Sequence, residues 1–388
     1  IQTLKTRGQS VAGLSERNEW DWNLAKAKLD LKKLDDSCWP AALAELDKKQ
    51  LVPIFTTDFI REKAEIAWGR GKAKVVIEAA LDLGKVIAGE GEEEICELEL
   101  ELRQGEPEAL LELAAELAAD LALMPCDISK AERGYRLFDA GSYSLNLPAP
   151  SLTAQTSLDD SVAALAWHLL GSSQRLAEQY RFNGHWRLLV DWLEQLIGLR
   201  ALLGSLGQAA PRASSHALRE LLDALLLEWR PRVLAGQDND SLRKNAPALF
   251  AAELQGNRWG LFSLNLSRWL LARSWTVERN NRGNRQGAAP LGNWLPTLVA
   301  DEGEALQLRR YVQQPEDLAE QLPRIERLLV WLHLARGVLE VPEVDRLYGE
   351  LNKLVELANQ SIDPDVLEAR KAQLLTIGSL KAWRQLVK

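Results

Sequence analysis

Cysteine is scarce in this chain of 388 residues: Cys38, Cys96 and Cys126 are the only three. They are widely spaced and form no C-x-x-C pair, which argues against a disulfide framework or a zinc knuckle and fits a reducing, cytoplasmic compartment. Long apolar runs are missing as well. No stretch approaches the roughly 18 residues that span a bilayer, and no leader peptide opens the chain, so no membrane partner is expected. The sequence begins at Ile1 rather than at methionine, already inside a strand-like pattern (Ile1-Gln2-Thr3-Leu4-Lys5), and further native sequence upstream is expected. A basic surplus is absent where it would matter for nucleic acid. Residues 1–150 hold 19 Lys and Arg against 28 Asp and Glu, a net of −9, and residues 151–388 hold 28 against 27. That balance argues against simple coating of a nucleic acid. Finally, His168, His185, His216 and His333 do not fall at metal-ligand spacings such as i, i+4.

The charge that is present is arranged in alternation. In Cys96-Glu97-Leu98-Glu99-Leu100-Glu101-Leu102, the period of two of a β-strand puts Glu97, Glu99 and Glu101 on one face and the apolar residues on the other. Other segments read the same way. Lys5 and Arg7 share a face; so do Arg17 and Glu19 within Glu16–Trp22, and Arg61, Lys63 and Glu65 within Phe55–Trp68; Glu78 and Asp82 follow in the next apolar segment. Two readings stay open from the residues. The charges are solvated outer faces, or the strands close into a barrel whose interior carries both signs. In the second case Lys and Arg would clamp an anion and the carboxylates would hold Mg²⁺ or Mn²⁺ on it, with phosphate the natural ligand. Asp82-Leu83-Gly84-Lys85 reads as a turn, and Glu90–Glu94 as an acidic connection.

Two domains are expected from the length. Residues 26–50 suggest one or two short helices. Gly105-Glu106-Pro107 ends the sheet and Pro107 opens a helix. In Ser129-Lys130-Ala131-Glu132-Arg133-Gly134-Tyr135 the spacing of Lys130 and Arg133 would put both on one helical face. Residues 141–159 read as a linker. Beyond it the apolar period is 3.6, as in Leu218-Leu221-Leu222-Leu225-Leu226, Ile325-Leu328-Leu329-Leu332 and Leu347-Leu351-Leu354-Leu357. This predicts an all-α bundle. Trp167, Trp192, Trp259, Trp269 and Trp275 read as its core, His168 and His333 as packed residues, and residues 278–293 as a polar, basic, mobile loop. The expected fold class is α+β: an antiparallel β-barrel followed by a helical bundle.

Taken in order, Thr3-Leu4-Lys5, Arg17-Asn18-Glu19, Arg61-Glu62-Lys63, Glu78 with Asp82-Leu83-Gly84, the Glu97-Glu99-Glu101 strand and the Ser129–Tyr135 segment resemble the CYTH domain of the triphosphate tunnel metalloenzymes. They are most similar to the bacterial inorganic triphosphatases that carry a helical CHAD domain behind the tunnel. The resemblance implies residues 1–140 as the tunnel domain, 141–159 as linker and 160–388 as a CHAD-like domain. It implies Lys5, Arg17, Arg61, Lys63, Lys130 and Arg133 as phosphate-binding residues. Glu19, Glu78, Asp82, Glu97, Glu99 and Glu101 are implied as metal-holding and water-orienting, with Glu97, Glu99 and Lys63 at the catalytic centre. The implied reaction is Mg²⁺- or Mn²⁺-dependent hydrolysis of inorganic triphosphate to pyrophosphate and phosphate, by in-line attack of water. The family's N-terminal E-x-E-x-K strand and the later R-x-R strand are absent, so a truncated tunnel is expected. A phosphate- or polyphosphate-binding module without turnover is the alternative. Adenylate cyclase activity, also found in the family, is disfavoured because nothing here reads an adenine base.

CHAD domains are associated with polyphosphate. Here His185 and His216 sit closest to the family's His-and-Arg helix starts, and Arg187, Arg200, Arg212, Arg219, Arg324 and Arg327 are candidates for a basic face. Arginines on amphipathic helices commonly just face solvent, and the near-neutral charge of this part predicts at most weak polyphosphate binding.

Overall fold

Charged residues alternating from Thr56 onward become the longest strands of the protein. The structure, a computed structural model, describes every residue except 7, 12, 27, 36, 70–73, 208, 238 and 388, and the side chains of Gln9, Ala246 and Leu249. Arg7, expected on a face with Lys5, therefore lies outside the described residues. The chain divides into two compact units, Ile1–Leu113 with Pro125–Leu145, and Ala114–Met124 with Asn146–Lys388.

Seven strands are found among the described residues: β1 (Gln2–Lys5), β2 (Gln9–Val11), β3 (Leu14–Glu16), β4 (Glu19–Trp22), β5 (Thr56–Trp68), β6 (Val75–Ala88) and β7 (Gly91–Gln104). They form three antiparallel sheets, β1–β4, β2–β3 and β5–β6–β7, and no ladder among the described residues closes them into a barrel. The expected single strand over Glu16–Trp22 is divided. β3 turns back onto β2 at Gly13 (φ 78°), β4 pairs with β1, and Arg17 and Asn18 join the two. Two further expectations are corrected. Asp82–Lys85 is not a turn, because β6 runs through it and Gly84 lies opposite Phe59 of β5. The reversal falls instead at Gly89, whose φ of 57° suits glycine. The acids Glu92–Glu94 are consequently part of β7 rather than a connection. Short 3-10 turns at Leu31–Lys33, Ala41–Leu43 and Lys48–Gln50 fill the segment between β4 and β5.

Helices α1 (Glu108–Asp120) and α2 (Lys130–Phe138) follow the long sheet. Helix α2 starts on a reciprocal cap: Ser129 Oγ accepts from the Glu132 amide at 3.2 Å and the Ser129 amide donates to Glu132 Oε2 at 3.0 Å. Gly134 lets α2 approach closely, since a Cβ there would lie 2.2 Å from the Phe55 ring, and Tyr135 meets the same ring edge-on. These contacts dock α2 against the face of β5–β7 that carries the charges.

The second unit is helical: α3 (Leu158–Asn183), α4 (Trp186–Ser205), α5 (Arg212–Gln237), α6 (Asp240–Gln255), α7 (Arg258–Leu271), α8 (Asn281–Gly287), α9 (Leu291–Ala305), α10 (Leu308–Gln313), α11 (Leu322–Leu334), α12 (Val344–Asn359), α13 (Pro364–Ser379) and α14 (Lys381–Leu386). Its leucine stripes turn inward: Leu218, Leu222, Leu225, Ile325, Leu328, Leu347, Leu351 and Leu354 are buried. Trp192, Trp259, Trp269 and Trp275 join that core, whereas Trp167 is half-buried. His168 is half-buried and His333 is exposed, its ring stacked on Tyr348 at 5.3 Å, so His333 is not the core residue expected of it. The expected mobile loop at 278–293 is also corrected. It contains α8, and Arg279 donates through both terminal nitrogens to Asp159 at 2.7 and 2.6 Å. Gly287 leaves room for that pair, since a Cβ there would meet both side chains. No helix among the described residues is long and apolar enough to cross a membrane.

Candidate functional site

The register of the long sheet decides which charges meet. Arg61 lies opposite Asp82, which lies opposite Glu97; Lys63 lies opposite Ala80 and then Glu99; Glu65 lies opposite Glu78 and then Glu101. Directly paired residues share a face, so the acids and bases of three strands stand in adjacent rows. Helix α2 adds Lys130 and Arg133 to the same face.

Asp82 is fully buried and sits at the centre. Arg61 donates to both of its oxygens, through Nε at 2.6 Å and Nη2 at 2.5 Å, and Nη2 also reaches Glu99 at 2.6 Å. Lys130 donates to Asp82 at 2.7 Å, to Glu99 at 2.8 Å and to Glu97. Arg133 pairs with the other oxygen of Glu97. Burial alone would raise the Asp82 carboxyl, but hydrogen bonds and charge from Arg61 and Lys130 outweigh it and hold the group below the usual aspartate range. Glu99 is lowered on the same balance, burial opposed by Lys130 and Arg61. Burial likewise works against the charge on Lys130, yet its three carboxylate partners raise its pKa, and the Arg61 guanidinium is raised chiefly by its bonds to Asp82. Asp82, Glu99, Lys130 and Arg61 are therefore ionised at neutral pH. One carboxylate oxygen from each of Asp82, Glu97 and Glu99 lies within 4.8 Å of the others, so these three could hold a metal ion. An all-carboxylate donor set suits a hard divalent cation.

The remaining expected residues divide between two further groups. Lys63 pairs with Glu78 at 2.6 Å. Arg103 bridges Glu78 and Glu101, at 2.8 and 2.7 Å. Glu78 is lowered by its bonds to Lys63 and Arg103. Lys5, Arg17 and Glu19 meet on the β1–β4 side: Glu19 takes Lys5 at 3.0 Å and Arg17 at 2.7 Å. Among the described residues no ion pair joins that trio to the Asp82 cluster. Three side chains at the sheet face escaped the sequence reading. Arg103 continues the alternation two residues past Glu101 and could have been found from it. Arg136 and Glu93, paired at 2.7 Å with Glu93 also near Arg133 at 3.9 Å, could not, because only the docking of α2 brings them together.

In the helical unit four of the six candidate arginines are held by acids. Arg187 pairs with Asp191 at 2.8 Å, Arg200 with Asp223 at 2.6 Å, and Arg324 and Arg327 share Glu302 at 2.7 and 2.6 Å. Arg219 donates to the Arg212 carbonyl at 3.0 Å. His185 precedes α4 and makes no capping bond through its side chain, and His216 faces Glu220 at 3.2 Å.

A β-unit with acids and bases interleaved on one sheet face and a basic helix across it has a counterpart among known families. Residues 1–135 match the CYTH domain, and the chain carries that domain there. The inorganic triphosphatase of Haemophilus influenzae is similar to this chain, at 36% identity over 135 residues. That segment covers 35% of this chain and spans 37% of the relative's length.

Proposed function

We propose that the β5–β7 face with α2 hydrolyses inorganic triphosphate to pyrophosphate and phosphate, with Mg²⁺ or Mn²⁺ as cofactor. The observation that carries this is the pairing of opposite charges around Asp82: three carboxylates within reach of one cation, crossed by Arg61 and Lys130, whose donors match phosphate oxygens. Asp82, Glu97 and Glu99 would hold the cation, with Glu78, Glu101 and Glu19 as further carboxylates. Its chemistry there is to screen the charge of the phosphate oxygens. Arg61, Lys63, Lys130 and Arg133 would bind the triphosphate, with Lys5 and Arg17 contributing from β1 and the segment before β4. Glu97 and Glu99 are read as orienting the water that attacks the terminal phosphorus. A bond forms to the water oxygen, the bond to the bridging oxygen breaks, and pyrophosphate leaves as its charge is met by the basic residues, Lys63 among them. The likeness to a named inorganic triphosphatase supports the substrate, and in this reading the charged face lines a β-tunnel.

The same reading takes residues 1–140 as the tunnel domain, 141–159 as linker and 160–388 as a CHAD-like domain of a cytoplasmic protein. Polyphosphate is at most a weak ligand of the helical domain, because acidic partners already hold four of its six candidate arginines. The test is phosphate release from tripolyphosphate with and without Mg²⁺ or Mn²⁺, with Glu99→Gln as the control. Metal-dependent release that falls about 100-fold or more in the variant is expected. Release no higher than that of the variant would leave a binding module without turnover.

A further inference from the structure

We propose that Phe59 is a positioning residue for the phosphate-binding cations of this site, an inference that rests on the reading of the β5–β7 face as a triphosphate site. Phe59 is half-buried on β5, on the same face as Arg61 and one row away from it. Its ring lies 5.6 Å from the Arg61 guanidinium and 5.2 Å from the Lys130 ammonium. One aromatic side chain thus underlies the two cations that hold Asp82 and Glu99, although one belongs to a strand and the other to the helix docked over it. The sequence makes room for the ring. Phe59 lies opposite Gly84, and a Cβ at position 84 would fall 2.4 Å from the Phe59 Cα. A glycine beneath an aromatic cross-strand partner is a pairing in which the ring covers the bare backbone.

The physical case turns on what else could hold these cations once phosphate arrives. Lys130 has only 14% of its side chain exposed, so water solvates little of its charge. Its N–H donors all go to carboxylates, and Arg61 shares two of those acceptors. A polyanion entering the site competes for those donors, and the two like charges are then left close together. The face of a benzene ring attracts a cation without consuming an N–H. Phe59 therefore holds both cations in place while leaving their donors aimed outward at oxygen. An aliphatic residue of similar bulk would fill the volume and lose this attraction.

Phe59→Leu and Phe59→Tyr separate the two roles. Phe59→Leu is expected to raise the KM for tripolyphosphate about three- to ten-fold while kcat changes by less, and Phe59→Tyr is expected to stay within about two-fold of the parent, since its ring keeps the quadrupole. The second readout is independent of turnover. In protein labelled with ¹³C at lysine Cε, and assigned through Lys130→Arg, the Lys130 Hε signal is expected upfield of the other lysines from the ring current and normal in Phe59→Leu. Should the unsubstituted protein show no turnover, the hydrolase reading fails, and tripolyphosphate affinity by calorimetry replaces KM in the same comparison. Equal KM or affinity in Phe59→Leu and the parent, or an unshifted Lys130 Hε signal in the parent, overturns the proposal.

Discussion

At the scale of single residues, burial and neighbouring charge together decide whether a titratable group keeps its charge, and the sign of their sum makes each a pH sensor of stability. In the β-unit the bases win, so Asp82 and Glu99 stay ionised. In the helical unit burial and a neighbouring charge act in the same direction on His168. His168, which is half-buried, is pushed below 6.5 by burial and then by the charge of His333. A histidine with a depressed folded pKa binds fewer protons folded than unfolded in the window between the two values. Stability is then complete above the unfolded pKa of about 6.5 and falls as pH drops through that window. Urea unfolding of the parent is expected to give a lower midpoint at pH 5 than at pH 7.5. The His168→Gln protein should lose less over the same interval. An equal loss in both would assign the acid sensitivity to other groups.

At the scale of elements, α2 is the piece that turns a charged sheet face into a site. Lys130 and Arg133 are one helical turn apart, so a single rigid helix sets both against Asp82, Glu97 and Glu99. The Ser129–Glu132 cap fixes where the helix starts, and the absence of a side chain at Gly134 fixes how closely it lies on Phe55. In Gly134→Ala the added methyl must displace the ring or lift the helix. Overpacking of this kind typically costs about 1–3 kcal/mol. The midpoint of thermal unfolding is expected to fall and tripolyphosphate binding to weaken together. Unchanged binding in a destabilised variant would show that α2 does not position the site.

At the scale of the whole molecule, charge is distributed unevenly: residues 1–150 are strongly acidic and the remainder nearly neutral. A polyanion is therefore repelled by the average field of the first unit and held only where basic groups are concentrated, beside carboxylates that a divalent cation would neutralise. Hydrogen exchange reads this directly, because bound ligand suppresses local opening. Tripolyphosphate with Mg²⁺ is expected to slow exchange of amides in β5, β6, β7 and α2 and to leave α4, α5 and α11 unchanged. Slowing confined to the helical unit would move the anion site to its arginines.

The sequence by itself determined a good part of this. A period of two is a property of the extended backbone, so the face shared by Glu97, Glu99 and Glu101, and that shared by Arg61 and Lys63, were legible in a string of letters. The period of 3.6 in the leucine stripes likewise announced the helices and the tryptophan core. Misreadings arose where one residue type serves two purposes. Gly84 looked like a turn because glycine turns chains, yet here it lies under Phe59, and the reversal falls at Gly89. The polar letters of 278–293 looked mobile because their neutralising partner, Asp159, lies far away in sequence. Only the tertiary structure decided the strand register and the docking of α2. These put Asp82 between Arg61 and Lys130, gathered three of six candidate carboxylates within 4.8 Å, and kept Glu19 with Lys5 and Arg17 instead. Alternation assigns a side chain to a face, but which charges touch across strands depends on contacts between residues distant in the chain.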